Sequence, residues 1–221
     1  AVNFKAAVFL NGADAVKLFT GSIMGGPEST VHMDADTVRA ITDTAHRLGK
    51  RVFAHPTDEI GLQRAIQNGV DVLAHTMPLA GAWSPQFVRG LVKRRVALVP
   101  TLGLFASANN PATPVETALQ QTRSFAAAGG QILFGTDAGF TEMFDTSDDM
   151  RLMHEAIGWK RLLASLTTIP ARLFGQEKRL GRVAAGMEAD FVLLGSDPAH
   201  DAAAMSDVRM TVNGGRVLFS A

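Results

Sequence analysis

Short apolar runs alternate with longer amphipathic stretches along most of this chain. The runs are too short for helices and are typical of parallel strands buried on both faces. Between them, segments with a helical period begin after capping residues, and several end at glycine. The five strand-like runs are DAVKLF, RVFAH, DVLAH, VALVPT and QILFGTD. This alternation predicts a parallel sheet with right-handed helical crossovers.

The amphipathic segments predict the helices that connect these strands. Asp34 or Asp36 caps the first helix, which Gly49 ends, and Asp58 caps the second. The other predicted helices lie at residues 84–93, 114–128, 147–157 and 159–174, and a further helix ends near residues 2–11 before Gly12.

The pattern changes after about residue 176. Short β-type runs follow, with turn residues between them that include Asn213-Gly214. We therefore predict two parts, a (β/α) domain over residues 1–176 and a small β segment over residues 177–221.

Four polar side chains lie within or at the ends of the strand-like runs. They are Lys17 in DAVKLF, His55 in RVFAH, His75 in DVLAH and Asp137 in ILFGTD. A doubly wound sheet and part of a barrel both fit the alternation. Functional groups at the ends of several successive strands favour the barrel, because an open sheet concentrates its site at one switch point.

Two imidazoles and a carboxylate form a candidate metal site. His55 and His75 share the local form apolar-apolar-Ala-His, and neighbouring strands can direct two histidines to one ion. Asp137 could bind the same ion or accept a proton from water. Each also has a structural interpretation: a histidine can hydrogen-bond at a barrel end, and an aspartate can cap a helix or a turn.

Lys17 is the unusual member of this set. An ammonium inside a buried strand needs a partner, a lowered pKa or a chemical modification. Carbamylation by carbon dioxide would convert it into an anionic oxygen ligand that can bridge two cations. A Schiff-base lysine is the rival functional interpretation, and a lysine that extends its amine to solvent is the structural one.

Composition narrows the possible partners and ligands. The net charge is zero, with 21 basic and 21 acidic residues, which removes the electrostatic argument for nucleic acid or anionic membranes. There is no cysteine, so a metal would be held by nitrogen and oxygen. No apolar stretch is long enough for a membrane span and no signal peptide is visible, so a cytoplasmic location is the default expectation.

Taken together, these motifs resemble the amidohydrolase superfamily, in its imidazolonepropionase-like and prolidase-like branch. DAVKLFTGS, FAHP, LAHT and FGTDAG resemble the family's fourth-, fifth-, sixth- and eighth-strand segments. The ending SLTTIPARLFG, RLGRVAAGMEADFVLL and VNGGRVL is similar to the family's ending. The resemblance implies an α/β fold: a partial TIM-type (β/α) barrel with units four to eight, plus a C-terminal part of a small β-sandwich.

The resemblance also implies a chemistry. Lys17 would be the bridging carbamate, and His55 and His75 would hold the more exposed of one or two divalent ions, with zinc expected. Asp137 would bind the buried ion and shuttle a proton while a metal-activated water hydrolyses an amide, peptide-like or cyclic amide bond in a small-molecule substrate.

One family feature is missing from the chain. It contains no His-x-His, which in the family completes the buried metal site on the first strand. The alternative is therefore an inactive fragment or subunit that keeps the fold. Five of eight barrel units would leave open sheet edges, so we expect an oligomer or a complementing N-terminal segment.

Overall fold

A computed structural model describes residues 12–21, 31–107, 114–139 and 144–221 of this chain. The strands are β1 Ala15–Phe19, β2 Arg51–His55, β3 Val72–Ala74, β4 Ala97–Val99, β5 Phe191–Leu194, β6 Val208–Asn213 and β7 Arg216–Ser220. The helices are α1 Ala35–Arg47, α2 Glu59–Gln67, α3 Pro85–Lys93, α4 Leu102–Ala106, α5 Val115–Ala127, α6 Ser147–Leu166 and α7 Thr168–Leu173. Short 3-10 helices lie at Pro78–Ala80 and Ala202–Met205.

Capping side chains set where the first three helices begin. Asp34, one of the two predicted caps, accepts a hydrogen bond from the backbone of Thr37 at the start of α1. Asp58 caps α2 in the same way, and Ser84 caps α3. The helix predicted near residues 2–11 lies outside the described residues.

A four-stranded parallel sheet forms the centre of the molecule. Its order is β1-β2-β3-β4, so sequential strands are also neighbours. Lys17 pairs with Phe53, and Phe19 pairs with His55. The carboxyl ends of the strands therefore lie along one edge of the sheet, as the alternation of strands and helices predicts.

Alternate residues of the strands build two apolar layers. Leu18, Val52 and Leu73 belong to the main core, together with buried residues of the helices. On the other side of the sheet, Val72 and Phe53 pack in a second cluster with Ile169 and Leu173 at α7. The functional candidates Lys17 and His55 share this second face with Phe53, because side chains alternate along a strand.

The fifth predicted strand, QILFGTD, is wrong as a strand. The structure has only an isolated parallel bridge there, between Leu98 and Ile132. Two backbone hydrogen bonds of 2.9 Å join this segment to β4. The amide of Phe134 faces away from β4 and donates to the carbonyl of Ser165 in α6. The next bond of the pairing would have to come from the amide of residue 100, which is a proline and has no N–H to donate.

The predicted break between two helices after residue 157 is present. Gly158 has φ 74° and ψ 161° within α6, which bends the helix at that point. The C-terminal part forms a three-stranded antiparallel sheet with the order β5-β6-β7, and glycines 214 and 215 make the turn after Asn213. The boundary near residue 176 stays a prediction, since Met205 is buried in the main core.

The predicted fold class is confirmed: a parallel α/β sheet of the partial-barrel type is followed by an antiparallel β segment. None of the helices in the described part of the chain has the length and apolar character that a membrane crossing requires.

Candidate active site

Strained backbone marks the carboxyl edge of the parallel sheet. Four non-glycine residues in the described ranges have positive φ, and three of them lie at this edge. His75 has φ 129°, Thr101 has φ 48° and Asp137 has φ 58°. They follow β3, β4 and the bridge segment respectively. Such conformations are costly and concentrate at functional sites, because the surrounding structure must enforce them.

His75 is the buried centre of the site. Only 1% of the residue is exposed. Its Nδ1 lies 2.7 Å from the hydroxyl oxygen of Thr101, whereas its Nε2 is buried and has no hydrogen-bond partner among the residues that the structure describes. The nearest carboxylate oxygen, Oδ2 of Asp137, is 3.8 Å from Nε2, which is too long for a hydrogen bond. Burial, helped by nearby His55 and Lys17, lowers the pKa of His75 to about 2.

His55 lies directly beside His75. The two imidazole centroids are 4.6 Å apart, with the rings nearly perpendicular. The ring of Phe19 also packs against His55, at a centroid distance of 4.9 Å. His55 is 6% exposed, so both imidazoles are buried at the end of the sheet.

Lys17 differs from the buried lysine that its apolar run predicts. Its side chain is exposed, because β1 is an edge strand among the described residues. Partial burial still lowers the pKa of Lys17, and the Asp137 carboxylate partly offsets that effect. The ammonium nitrogen lies 5.6 Å from the ring centroid of Phe19. Lys17 is therefore close enough to Asp137 and His75 for electrostatic interaction with both.

In the contact between Asp137 and His75, the carboxylate is the more accessible partner. Its side chain is 37% exposed, whereas that of His75 is 1% exposed. It sits in a tight turn in which the amide of Ala138 donates to the hydroxyl of Thr136, at 3.1 Å. That hydroxyl, not the carboxylate, satisfies the turn, which leaves Asp137 able to face the site.

The structure thus brings all four predicted residues to one edge of the sheet. Within the described residues, no three His, Cys, Asp or Glu side chains are grouped closely enough to hold a metal ion. The buried Nε2 of His75 has no hydrogen-bond partner among the described residues and lies 3.8 Å from the Asp137 carboxylate. An imidazole nitrogen in that position, together with carboxylate oxygen, is a donor type that fits a divalent ion.

Thr101 is a site residue that the sequence reasoning missed. It is the last residue of the predicted strand VALVPT. The rule that selected His55 and His75, a polar residue at a strand end, would have selected it as well.

Comparison with known proteins identifies the family. The amidohydrolase family model matches residues 6–218, and the chain belongs to that family. No curated protein matches the chain.

Similar solved structures agree with this fold. A prolidase in complex with N-methylphosphonate-L-proline is 24% identical, with a TM-score of 0.79, over 98% of this chain and 58% of that one. A Xaa-Pro dipeptidase with bound methionine in its active site is 22% identical, with a TM-score of 0.80, over 98% and 58%. The ochratoxinase of A. niger is 20% identical, with a TM-score of 0.79, over 98% and 54%. The chain thus spans somewhat more than half the length of these proteins.

Proposed function

We propose that this chain carries the catalytic site of a metal-dependent hydrolase that cleaves a carbon–nitrogen bond of an amide, peptide-like or cyclic amide. One observation carries the proposal. The buried Nε2 of His75 has no hydrogen-bond partner in the described part of the chain and lies beside His55 and Asp137 at the carboxyl edge of a parallel sheet. A polar atom in that position costs stability unless a ligand satisfies it.

Lys17, His55, His75 and Asp137 would hold the ion, for which zinc is expected. A bound divalent ion supplies Lewis acidity, which polarises a carbonyl and lowers the pKa of water. His75 suits this role because its low pKa keeps the imidazole neutral at physiological pH.

Lys17 requires a change of charge to take part. As an ammonium it would repel a divalent cation. Burial lowers its pKa and so raises the fraction of neutral amine, the form that reacts with carbon dioxide. The Nζ lone pair forms a bond to the carbon of carbon dioxide, and one proton leaves to water. The product is an anionic carbamate with two oxygen donors.

Asp137 is proposed to move the proton. The carboxylate is accessible enough to meet a substrate, yet it remains within 3.8 Å of the buried imidazole. It accepts a proton from the water that attacks the carbonyl carbon, and it returns that proton to the leaving nitrogen. No covalent bond to the enzyme is needed.

The similar structures suggest a substrate class. A prolidase and a Xaa-Pro dipeptidase are among them. We therefore propose a small substrate in which the scissile amide joins an amino acid to a second group, and we take proline dipeptides as the first substrates to test.

A second candidate is a subunit that keeps the fold but is inactive as it stands. Two observations favour it: the chain has no His-x-His, and the described residues hold no group of three His, Cys, Asp or Glu ligands. The predicted oligomer or complementing segment remains a proposal, since β1 pairs only with β2 among the described strands.

Metal reconstitution separates the two candidates. The purified chain would be loaded with zinc in bicarbonate buffer, dialysed and analysed for bound metal, and then assayed with proline dipeptides. The hydrolase proposal expects about one zinc or more per chain and measurable cleavage. A zinc content below about a tenth of an equivalent at saturating free zinc would favour the inactive subunit.

A further inference from the structure

We propose that Thr101 is a positioning residue for His75, whose hydroxyl holds the imidazole with its proton on Nδ1 so that the Nε2 lone pair faces the site. The role of this arrangement in metal binding rests on the proposed function. The hydrogen bonds from which it is inferred are formed within the chain and need no metal.

The hydrogen bonds of Thr101 determine where the proton lies. Its hydroxyl oxygen is 2.9 Å from the carbonyl oxygen of Pro100 and 2.7 Å from Nδ1 of His75. A carbonyl oxygen can only accept, so both contacts are hydrogen bonds only when the single hydroxyl proton is directed to Pro100. The hydroxyl must then accept from Nδ1, and the imidazole proton is on that nitrogen. Nε2 is left with a free lone pair.

The surroundings of Nε2 agree with this tautomer. If Nε2 carried the proton, a buried N–H would lack an acceptor within the described ranges, since Oδ2 of Asp137 lies 3.8 Å away. A lone pair without a partner is what a ligand atom presents before it binds a cation.

The backbone that follows Thr101 is held in place by a contact with α6. Thr101 has φ 48° and ψ 54°, a left-handed conformation that β-branched residues rarely adopt. The following turn is fixed because the amide of Gly103 donates to Oδ1 of Asp149 in α6, at 2.9 Å. A Cβ at Gly103 would collide with the carboxyl group of Asp149, which shows how closely α4 and α6 approach. The strained position is thus maintained by neighbouring structure, as expected of a residue with a positioning role.

The first test measures the tautomer directly in metal-free protein. Nitrogen-15 chemical shifts of the histidines would be recorded for the wild type, Thr101→Val and Thr101→Ser. Valine keeps the size and the β-branch of threonine but removes the hydroxyl, whereas serine restores the hydroxyl. We expect His75 to carry its proton on Nδ1 in the wild type and in Thr101→Ser, and to shift towards the Nε2–H form in Thr101→Val.

The second test measures zinc affinity in bicarbonate buffer by competition with a chelator. Thr101→Val should bind zinc about 10–100-fold more weakly, the range typical of lost partners of metal ligands. Thr101→Ser should stay within a few-fold of the wild type. Thr122→Val is the matched control, because that buried hydroxyl donates to Ala118 within α5, at 2.8 Å, and should change neither tautomer nor affinity.

The two tests of Thr101 can succeed or fail independently of the proposed hydrolase function. An Nε2–H tautomer of His75 in the wild type would overturn the inference, even if Thr101→Val failed to fold. So would a folded Thr101→Val protein with unchanged tautomer and unchanged zinc affinity. If the wild type bound no zinc yet lost the Nδ1–H form in Thr101→Val, the positioning role would stand while the hydrolase proposal failed.

Discussion

The two ends of the parallel sheet each contain a contact between a histidine and an aspartate. At the amino end, Nε2 of His46 lies 2.8 Å from Oδ2 of Asp71. At the carboxyl end, Nε2 of His75 lies 3.8 Å from Oδ2 of Asp137. The residue types are identical, but the first pair forms a hydrogen bond and the second pair is too far apart to form one.

The partners of each carboxylate explain the difference. Asp71 also accepts from the guanidinium of Arg51 at 3.0 Å and from the amide of Val52 at 2.8 Å. Its oxygens are therefore satisfied, and the cluster ties α1 to the start of β2. At the other end, Nε2 of His75 has no partner among the described residues and the backbone of both residues has positive φ. Satisfied polar groups stabilise a fold, whereas unsatisfied and strained ones concentrate at functional sites.

The sharpest way to test this comparison is to neutralise one aspartate at each end. Asp137→Asn should lower turnover of a proline dipeptide by about 10²–10⁴-fold, because the amide cannot accept the proton. The thermal midpoint should barely change, since the side chain is 37% exposed. Turnover is measured on zinc-loaded protein with bicarbonate, and wild-type turnover in Asp137→Asn would remove this residue from the mechanism.

Separate replacements of His75 and His46 compare the two ends of the sheet by their effect on zinc affinity. His75→Gln should weaken zinc binding by roughly 100-fold or more, since losing a ligand costs at least as much as losing the partner of one. His46→Gln should leave zinc affinity unchanged, because its imidazole is hydrogen-bonded to Asp71 at the far end of the strands. A chelator competition assay measures both, with circular dichroism as the check on folding. Equal losses in the two variants would contradict the distinction drawn here.

Asp71→Asn should affect stability and spare the site. The change removes a charge that accepts from Arg51, His46 and the amide of Val52. We expect the free energy of unfolding to fall by about 1.5–3 kcal/mol, the range for hydrogen bonds to charged groups. Urea denaturation measures the loss. A zinc affinity that fell in parallel would show that the two ends are coupled.

Replacing Asp149, a buried carboxyl group that accepts a hydrogen bond from the Gly103 amide, should give the smallest effect. Burial raises the pKa of this carboxyl group to about 6, more than the bond from the Gly103 amide lowers it. The folded protein therefore holds its proton more tightly than the unfolded chain, and stability falls as the pH rises from about 4 to about 6. Asp149→Asn keeps an acceptor for Gly103 without the charge. It should raise the free energy of unfolding at pH 7 by on the order of 1 kcal/mol.

The pH dependence is the control for that prediction. Near pH 4 the wild-type carboxyl is protonated, so wild type and Asp149→Asn should have nearly equal stability. A constant difference from pH 4 to pH 7, measured by denaturant unfolding at each pH, would show that the charge of Asp149 is not its cause.

Much of the fold and of the candidate site could be predicted from local patterns. The capping residues Asp58 and Ser84 mark where their helices begin, and Gly158 marks the bend in α6. The polar residues at strand ends lie at one edge of the sheet because parallel strands joined by helices all point the same way. These features depend on a few neighbouring residues, which is why they can be predicted from the sequence.

Other features depend on contacts between distant segments. The last apolar run does not extend as a strand, because its neighbour β4 is followed by Pro100, which cannot donate the next hydrogen bond of the pairing. Lys17 is exposed because nothing in the described structure pairs with β1 on its outer side, although its own run is as apolar as the others.

The sequence by itself predicted the order of most elements, because hydrophobic period and capping act over a few positions, and its motifs suggested the partial-barrel type and the four candidate residues. Only the tertiary structure decided that Nε2 of His75 has no partner among the described residues and that its other nitrogen lies against the hydroxyl of Thr101. Hydrogen-bond satisfaction in the interior is a property of all the atoms around a group, and those atoms come from β3, β4 and the bridge segment together.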